Sequence, residues 1–187
     1  MKKITLSLLA ALAFSFTANA QTPDVKIGVK GGLNIATLTG EGSSSLTGFN
    51  IGGVAEIFVN EKFSVQPEIL YSTQGAEYSI FKKDIKAELH YINVPVMAKY
   101  YVYEGLNIQA GPQFGFNVKS ELDGKDIKDM TKGFDFGLNL GLGYELPVGV
   151  FFDARYNFGL TDTFKSQAGV KSDTKNSVFQ ISVGYKF

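Results

Sequence analysis

Few residues of this chain have types and spacing that could do chemistry. His90 is the only histidine. With Ser79 or Glu88 it would start a hydrolase site, although a triad needs nucleophile, base and orienter in one constellation. The competing reading is a histidine at the rim of a strand. Asp123, Asp126 and Asp129 could recruit a cation, but their spacing misses the EF-hand pattern and equally suits a solvated loop. Gly28, Gly31 and Gly32 do not make G-x-G-x-x-G, and no G-K-S/T follows, so a phosphate cradle lacks support. Phe and Tyr stripes could stack bases, yet they recur every second residue, the spacing of one strand face. The 18 basic residues balance 18 acidic ones, leaving no basic field for nucleic acid. Absence of Cys excludes disulfides and thiolate metal sites. No catalytic, cofactor-binding or metal-ligating residue is assigned, and no cofactor is expected.

The elements that would position these residues have a uniform signature. In FDFGLNLGLGYEL (134–146) one parity is Phe134, Phe136, Leu138, Leu140, Leu142, Tyr144 and Leu146. The other is Asp135, Gly137, Asn139, Gly141, Gly143 and Glu145. Gly133, Gly137 and Gly141 also satisfy GxxxG, the packing motif of membrane helices. Period two and the charges at Asp135 and Glu145 make the segment a strand instead. The same alternation closes the chain in NSVFQISVGYKF (176–187). It predicts eight strands, at 25–38, 47–59, 63–78, 88–102, 106–119, 132–146, 150–161 and 176–187. Tight turns at 60–62, 103–105 and 147–149 alternate with longer polar connections at 39–46, 79–87, 120–131 and 163–175. Short turns on one side and long loops on the other are the asymmetry of outer-membrane barrels.

The first residues, MKKITLSLLAALAFSFTANA, combine Lys2 and Lys3, a short apolar stretch and the small-x-small site Ala18-Asn19-Ala20. This predicts a secretory signal peptide over 1–20 and a mature barrel domain over 21–187. The apolar stretch is too short for a membrane anchor, which needs about 20 residues.

Side-chain size decides which parity faces out. The bulky aromatic parity would overfill a narrow lumen, whereas outside it forms a lipid-facing band with girdles. Phe63, Tyr100, Tyr144, Phe152, Tyr185 and Phe187 belong to one rim; Phe49, Tyr71, Phe116, Phe134 and Phe179 belong to the other. The inward parity then carries Lys26, Lys30, Lys99, Arg155 and Lys186 against Glu56, Glu68, Asp135, Glu145 and Asp153. Unpaired buried charges are costly, so a salt-bridged plug is expected rather than a conduit. Folding neighbouring strands about their loops predicts the pairs Lys30–Glu56 and Glu68–Lys99. Pro67, Pro95 and Pro112 fall inside expected strands, where bulges are the available way to absorb a missing N–H.

These segments resemble a known family. VQPEILYSTQGAEY (65–78), YINVPVMAKYY (91–101), NIQAGPQFGF (107–116), FDFGLNLGLGYEL (134–146), FFDARYNFGLTD (151–162) and VGYKF (183–187) are, in this order, similar to the PorT-like outer-membrane β-barrel proteins of Gram-negative bacteria. The resemblance implies an eight-stranded up-and-down antiparallel transmembrane barrel in the outer membrane. The terminal alternation ending in Phe187 resembles the signature read by the outer-membrane insertion machinery. Expected partners are outer-membrane lipids, that machinery during assembly, and envelope or secretion proteins; nucleic acid is not expected. The leading function is a non-enzymatic structural or interaction protein presenting four extracellular loops, with an accessory role in protein secretion as the family's variant. The competing classes are an outer-membrane lipid-modifying enzyme and a soluble secreted ligand-binding barrel.

Overall fold

A strand with period-two alternation specifies both of its faces, and closure into a ring satisfies every backbone edge. The computed structural model describes residues 24–38, 43–80, 83–164 and 174–187, with the side chains of 43, 78–80 and 83–84 outside that description. Among the described residues eight long strands form: β1 Val25–Leu38, β2 Ser43–Asn60, β3 Phe63–Ile80, β4 Lys83–Tyr103, β5 Leu106–Leu122, β6 Phe134–Glu145, β7 Val150–Asp162 and β8 Lys175–Lys186. Each pairs antiparallel with the next, and β1 pairs with β8 to close the barrel.

The parity assignment holds along the wall except where a bulge shifts it, as beyond Asn117 of β5. Ile27 (62% exposed), Leu33, Ile51, Ile69, Leu142 and Ile181 face outward, whereas Arg155 and Glu68 are 2% exposed. The aromatic girdles pair across strands. Phe63 is the register partner of Tyr100, and Tyr144 that of Phe152. At the other rim the rings of Phe49 and Tyr71 lie 6.0 Å apart, and those of Phe116 and Phe134 5.7 Å. The glycines of β6 are inward and make room. A Cβ on Gly141 would meet Arg155 Cγ at 2.8 Å, and one on Gly137 would meet Asn157 Nδ2 at 2.8 Å. The GxxxG spacing is thus the inward parity of a strand with large inward neighbours.

Two expectations change. The connections at 39–46 and 79–87 are shorter than the polar composition suggested: β2 already starts at Ser43, and the β3–β4 ladder runs on to the pair Ile80/Lys83. Ladder hydrogen bonds outweigh local polarity where strands overhang the band. The connection at 120–131 folds on itself, with Asp123 and Gly124 at positive φ, a two-residue ladder at Lys125–Asp126 and a 3-10 turn at Lys128–Met130. The connection at 163–175 lies mostly outside the described residues.

The second change concerns the prolines. Pairing lapses for two positions in β2–β3 (Ala55/Pro67, Glu56/Gln66), in β3–β4 (Glu68/Pro95, Ile69/Val94) and in β4–β5 (Val96/Pro112, Met97/Gly111). Each of these three lapses takes in a proline, and the register resumes unchanged beyond it, unlike the proline-free gaps at Ser45–Asn50 and Phe158–Asp162, where it shifts. The bulges lie elsewhere, for example between His90 and Tyr91. Missing N–H groups are therefore met by dropped rungs, with no inserted residue.

Candidate functional site

Alternation brings the polar parity of all eight strands into one lumen, which is layered along its axis. At the end bearing the tight turns, Glu56 and Glu145 are surrounded by cations. Lys26 Nζ lies 3.0 Å and Lys186 Nζ 2.7 Å from Glu145, and Lys99 Nζ lies 3.2 Å from Glu56. Lys186 and the Ser64 hydroxyl also donate to Glu56. The Tyr101 hydroxyl sits between the carboxylates, 2.6 Å from Glu56 and 3.0 Å from Glu145.

One layer further in, Arg155 grips Glu68 through both terminal nitrogens, at 2.7 and 2.9 Å. Such a two-point geometry suits a planar guanidinium on a carboxylate. Lys30 Nζ lies 3.2 Å from Glu68 and 3.3 Å from Asp153, and Arg155 also donates to Asp153 at 3.3 Å. Two cations face two anions here, so the layer is neutral. Gln66 ties the layers together, donating to Glu68 at 2.7 Å and accepting from Lys99 at 3.2 Å.

The sequence-predicted residues therefore come together with exchanged partners. Lys30 pairs with Glu68 and Asp153 instead of Glu56, and Lys99 pairs with Glu56 instead of Glu68. Register is the reason: Lys30 lies opposite Gly52 and Glu56 opposite Lys26, while Lys99 lies opposite Ser64. Each expected pair is four residues out of step, or about 13 Å along a strand. Arg155 and Asp153 meet strands β1 and β3 across the lumen, a contact that neighbour-by-neighbour folding cannot produce.

Beyond the charges the lumen is filled by amides. Asn34 donates to Ser72 Oγ and to the Thr73 carbonyl, both at 2.9 Å, and accepts from Asn50 at 2.9 Å. Asn157 donates to Asn139, which donates to Gln113, both at 3.1 Å. Among these amides a cavity lined by Gln74, Asn93, Gln113, Asn139, Asn157, Val178 and Gln180 leaves about 10 Å³ for water centres. That is on the scale of a single water molecule. At the loop end Leu38, Ala76, Leu89 and Tyr91 form an apolar cluster with Phe164.

Of the other candidates, Glu88 and His90 come close to one another on the outer wall. Gly28, Gly31 and Gly32 are ladder residues of β1. Asp126 accepts from the backbone N–H of Lys128 at 2.8 Å, holding the start of the 3-10 turn. His90 faces outward; its Nδ1 is 2.7 Å from the Tyr71 hydroxyl. The Ser79 side chain lies outside the described residues.

A ring of eight antiparallel strands with an apolar exterior and an ion-paired interior is the geometry of a bacterial outer-membrane barrel. Residues 19–165 match the outer membrane protein beta-barrel domain. The chain belongs to that family. Solved structures agree on the fold. Neisserial surface protein A superposes with a TM-score of 0.61 at 14% identity, covering 88% of this chain and 99% of that one. Ail, the attachment invasion locus protein of Yersinia pestis, solved with the heparin analogue sucrose octasulfate, gives 0.53 at 17% identity over 88% and 99%. OprG from Pseudomonas aeruginosa gives 0.50 at 14% identity over 88% and 97%. No curated protein matches the chain. This outer-membrane barrel therefore has bilayer hydrocarbon as the solvent of its outward parity.

Proposed function

We propose that this barrel is a non-enzymatic, closed outer-membrane protein whose work is done by what its strand extensions and loops present outside the cell. The observation that carries the reading is the neutral Lys30–Glu68–Arg155–Asp153 layer, in which every member is at most 4% exposed. Charges that satisfy one another leave little to interact with a permeating ion, and an eight-stranded lumen is just filled by side chains. The partners of such a protein are outer-membrane lipids, the insertion machinery during assembly, and envelope proteins. The resemblance to PorT-like barrels supports secretion proteins among the last group. An N-terminal signal peptide ending at Ala20 fits export to this location.

Planar-bilayer recording from the purified protein tests the closed lumen, and no steady conductance is expected. A steady, large and weakly selective conductance would refute it. Mass spectrometry of membrane-extracted protein tests the export segment. Its expected N-terminus is Gln21, and a product retaining Met1 would remove the signal peptide.

A further inference from the structure

On the outer wall, at the rim away from the tight turns, Glu88 and His90 project from β4 beside Glu121 of β5. One ring nitrogen of His90 and one carboxylate oxygen from each glutamate lie within 4.8 Å of one another. The local sequence alone does not put them together. Glu88 and Glu121 are register partners, as are His90 and Lys119, because a bulge inserts Val118 between the pairs His90/Lys119 and Tyr91/Asn117. The extra residue reverses the parity of β5 beyond Asn117, so Lys119 and Glu121 turn outward toward the β4 side chains.

Two features of this arrangement ask for a cation. Two carboxylates directly opposite one another on neighbouring strands repel. The Lys119 ammonium, 2.9 Å from Glu121, answers them from a side chain that is 56% exposed, so water screens this pair. His90 supplies the second feature. Its Nδ1 is engaged by the Tyr71 hydroxyl, whereas its Nε2 is buried and has no hydrogen-bond partner. A histidine held through one nitrogen with the other left over has the arrangement of a metal ligand and its orienting neighbour. Tyr71 is itself packed against Phe49, with ring centroids 6.0 Å apart.

We infer that Glu88, His90 and Glu121 form a site for a divalent transition-metal ion of the zinc type, bridging β4 and β5 on the outer rim. Imidazole with two carboxylates suits Zn²⁺ better than Ca²⁺ or Mg²⁺, which take oxygen ligands. Ligands about 2 Å from the ion require the three donors to close by roughly an ångström. His90 lies thirteen residues from the turn end of β4, about 30 Å above it for a strand tilted by about 45°. This height is just beyond a lipid-facing band about 25 Å tall, so the site is reachable from outside. The ion would neutralise both glutamates and clamp the wall where the bulge interrupts it.

The test is calorimetric titration of untagged, detergent-refolded barrel with Zn²⁺, with folding checked by heat-modified gel mobility. One saturable site per barrel is expected, weakened at least about tenfold by His90→Gln or Glu121→Gln. Tyr71→Phe should weaken it by about 10–100-fold, the usual effect of losing a ligand's orienting partner. Lys119→Met should tighten it several-fold by removing the competing ammonium. If His90→Gln does not fold, Glu121→Gln and Lys119→Met carry the test. Absence of saturable binding, equal competition by Ca²⁺, or binding indifferent to these variants would overturn the site.

Discussion

The charged layer gives a double-mutant cycle whose sign is set by geometry. Glu68 faces Arg155 at 2.7 Å and Lys30 at 3.2 Å. Each attraction is worth about 4 kcal/mol at 4 Å and an effective dielectric of about 20, before desolvation is subtracted. Glu68→Ala leaves two buried cations with only Asp153 between them. Breaking a buried pair in this way costs about 3–5 kcal/mol. Adding Arg155→Met removes the surplus charge and leaves Lys30 on Asp153, so the double variant should be less harmed than the sum of the singles. The expected coupling is about 1–3 kcal/mol. The pair Lys30→Met with Glu56→Ala shares no direct partner and is linked only through Gln66, so its coupling should be clearly smaller than that of Glu68 with Arg155. Urea unfolding from phospholipid vesicles, followed by heat-modified gel mobility, reads both cycles. Additive effects for Glu68 and Arg155, or strong coupling for Lys30 and Glu56, would refute the observed pairing.

Leu140 projects into the lipid-facing band from the middle of β6, so Leu140→Arg should destabilise by about 2–4 kcal/mol in the same assay. Gly141→Ala would place a Cβ 2.6 Å from the Ala154 carbonyl oxygen and 2.8 Å from Arg155 Cγ, with an expected cost of about 1–3 kcal/mol. Cysteines at Ser44 and Lys125 should react with an impermeant thiol reagent on whole cells. Those at Glu61, Glu104 and Val148 should react only after the outer membrane is opened; equal labelling would invert or abolish the topology.

Alternation carried most of the fold. FDFGLNLGLGYEL shows why: parity alone tells that Asp135 and Asn139 are buried and that Leu140 meets lipid, because the period of a strand is two. Pairing inside the lumen was less legible. It depends on each hairpin's axis, and polar overhangs such as Ser43–Ser45 and Lys83–Lys86 read as loop although they extend the ladders. A four-residue error in register preserves every parity and still exchanges the partners of Lys30 and Lys99. The rim cluster was hidden for a different reason. Val118 and Lys119 are both outward, and nothing in NVKSEL marks where the alternation breaks.

The three lapses beside Pro67, Pro95 and Pro112 give the wall a direction of weakness. They sit on consecutive ladders from β2 to β5, whereas β5 to β6 pairs without interruption past Pro112. A ring of rungs resists shear between its staves, and mid-wall the dropped rungs lie on the three ladders from β2 to β5. When the surrounding lipid thickens, thins or presses from one side, the cylinder should flex there first, with the opposite staves acting as a stiff back. Amide exchange should reveal the same anisotropy, because fewer rungs must break for that side of the wall to breathe. An obstructed lumen and a compliant flank can therefore coexist: the contents stay locked while the casing yields.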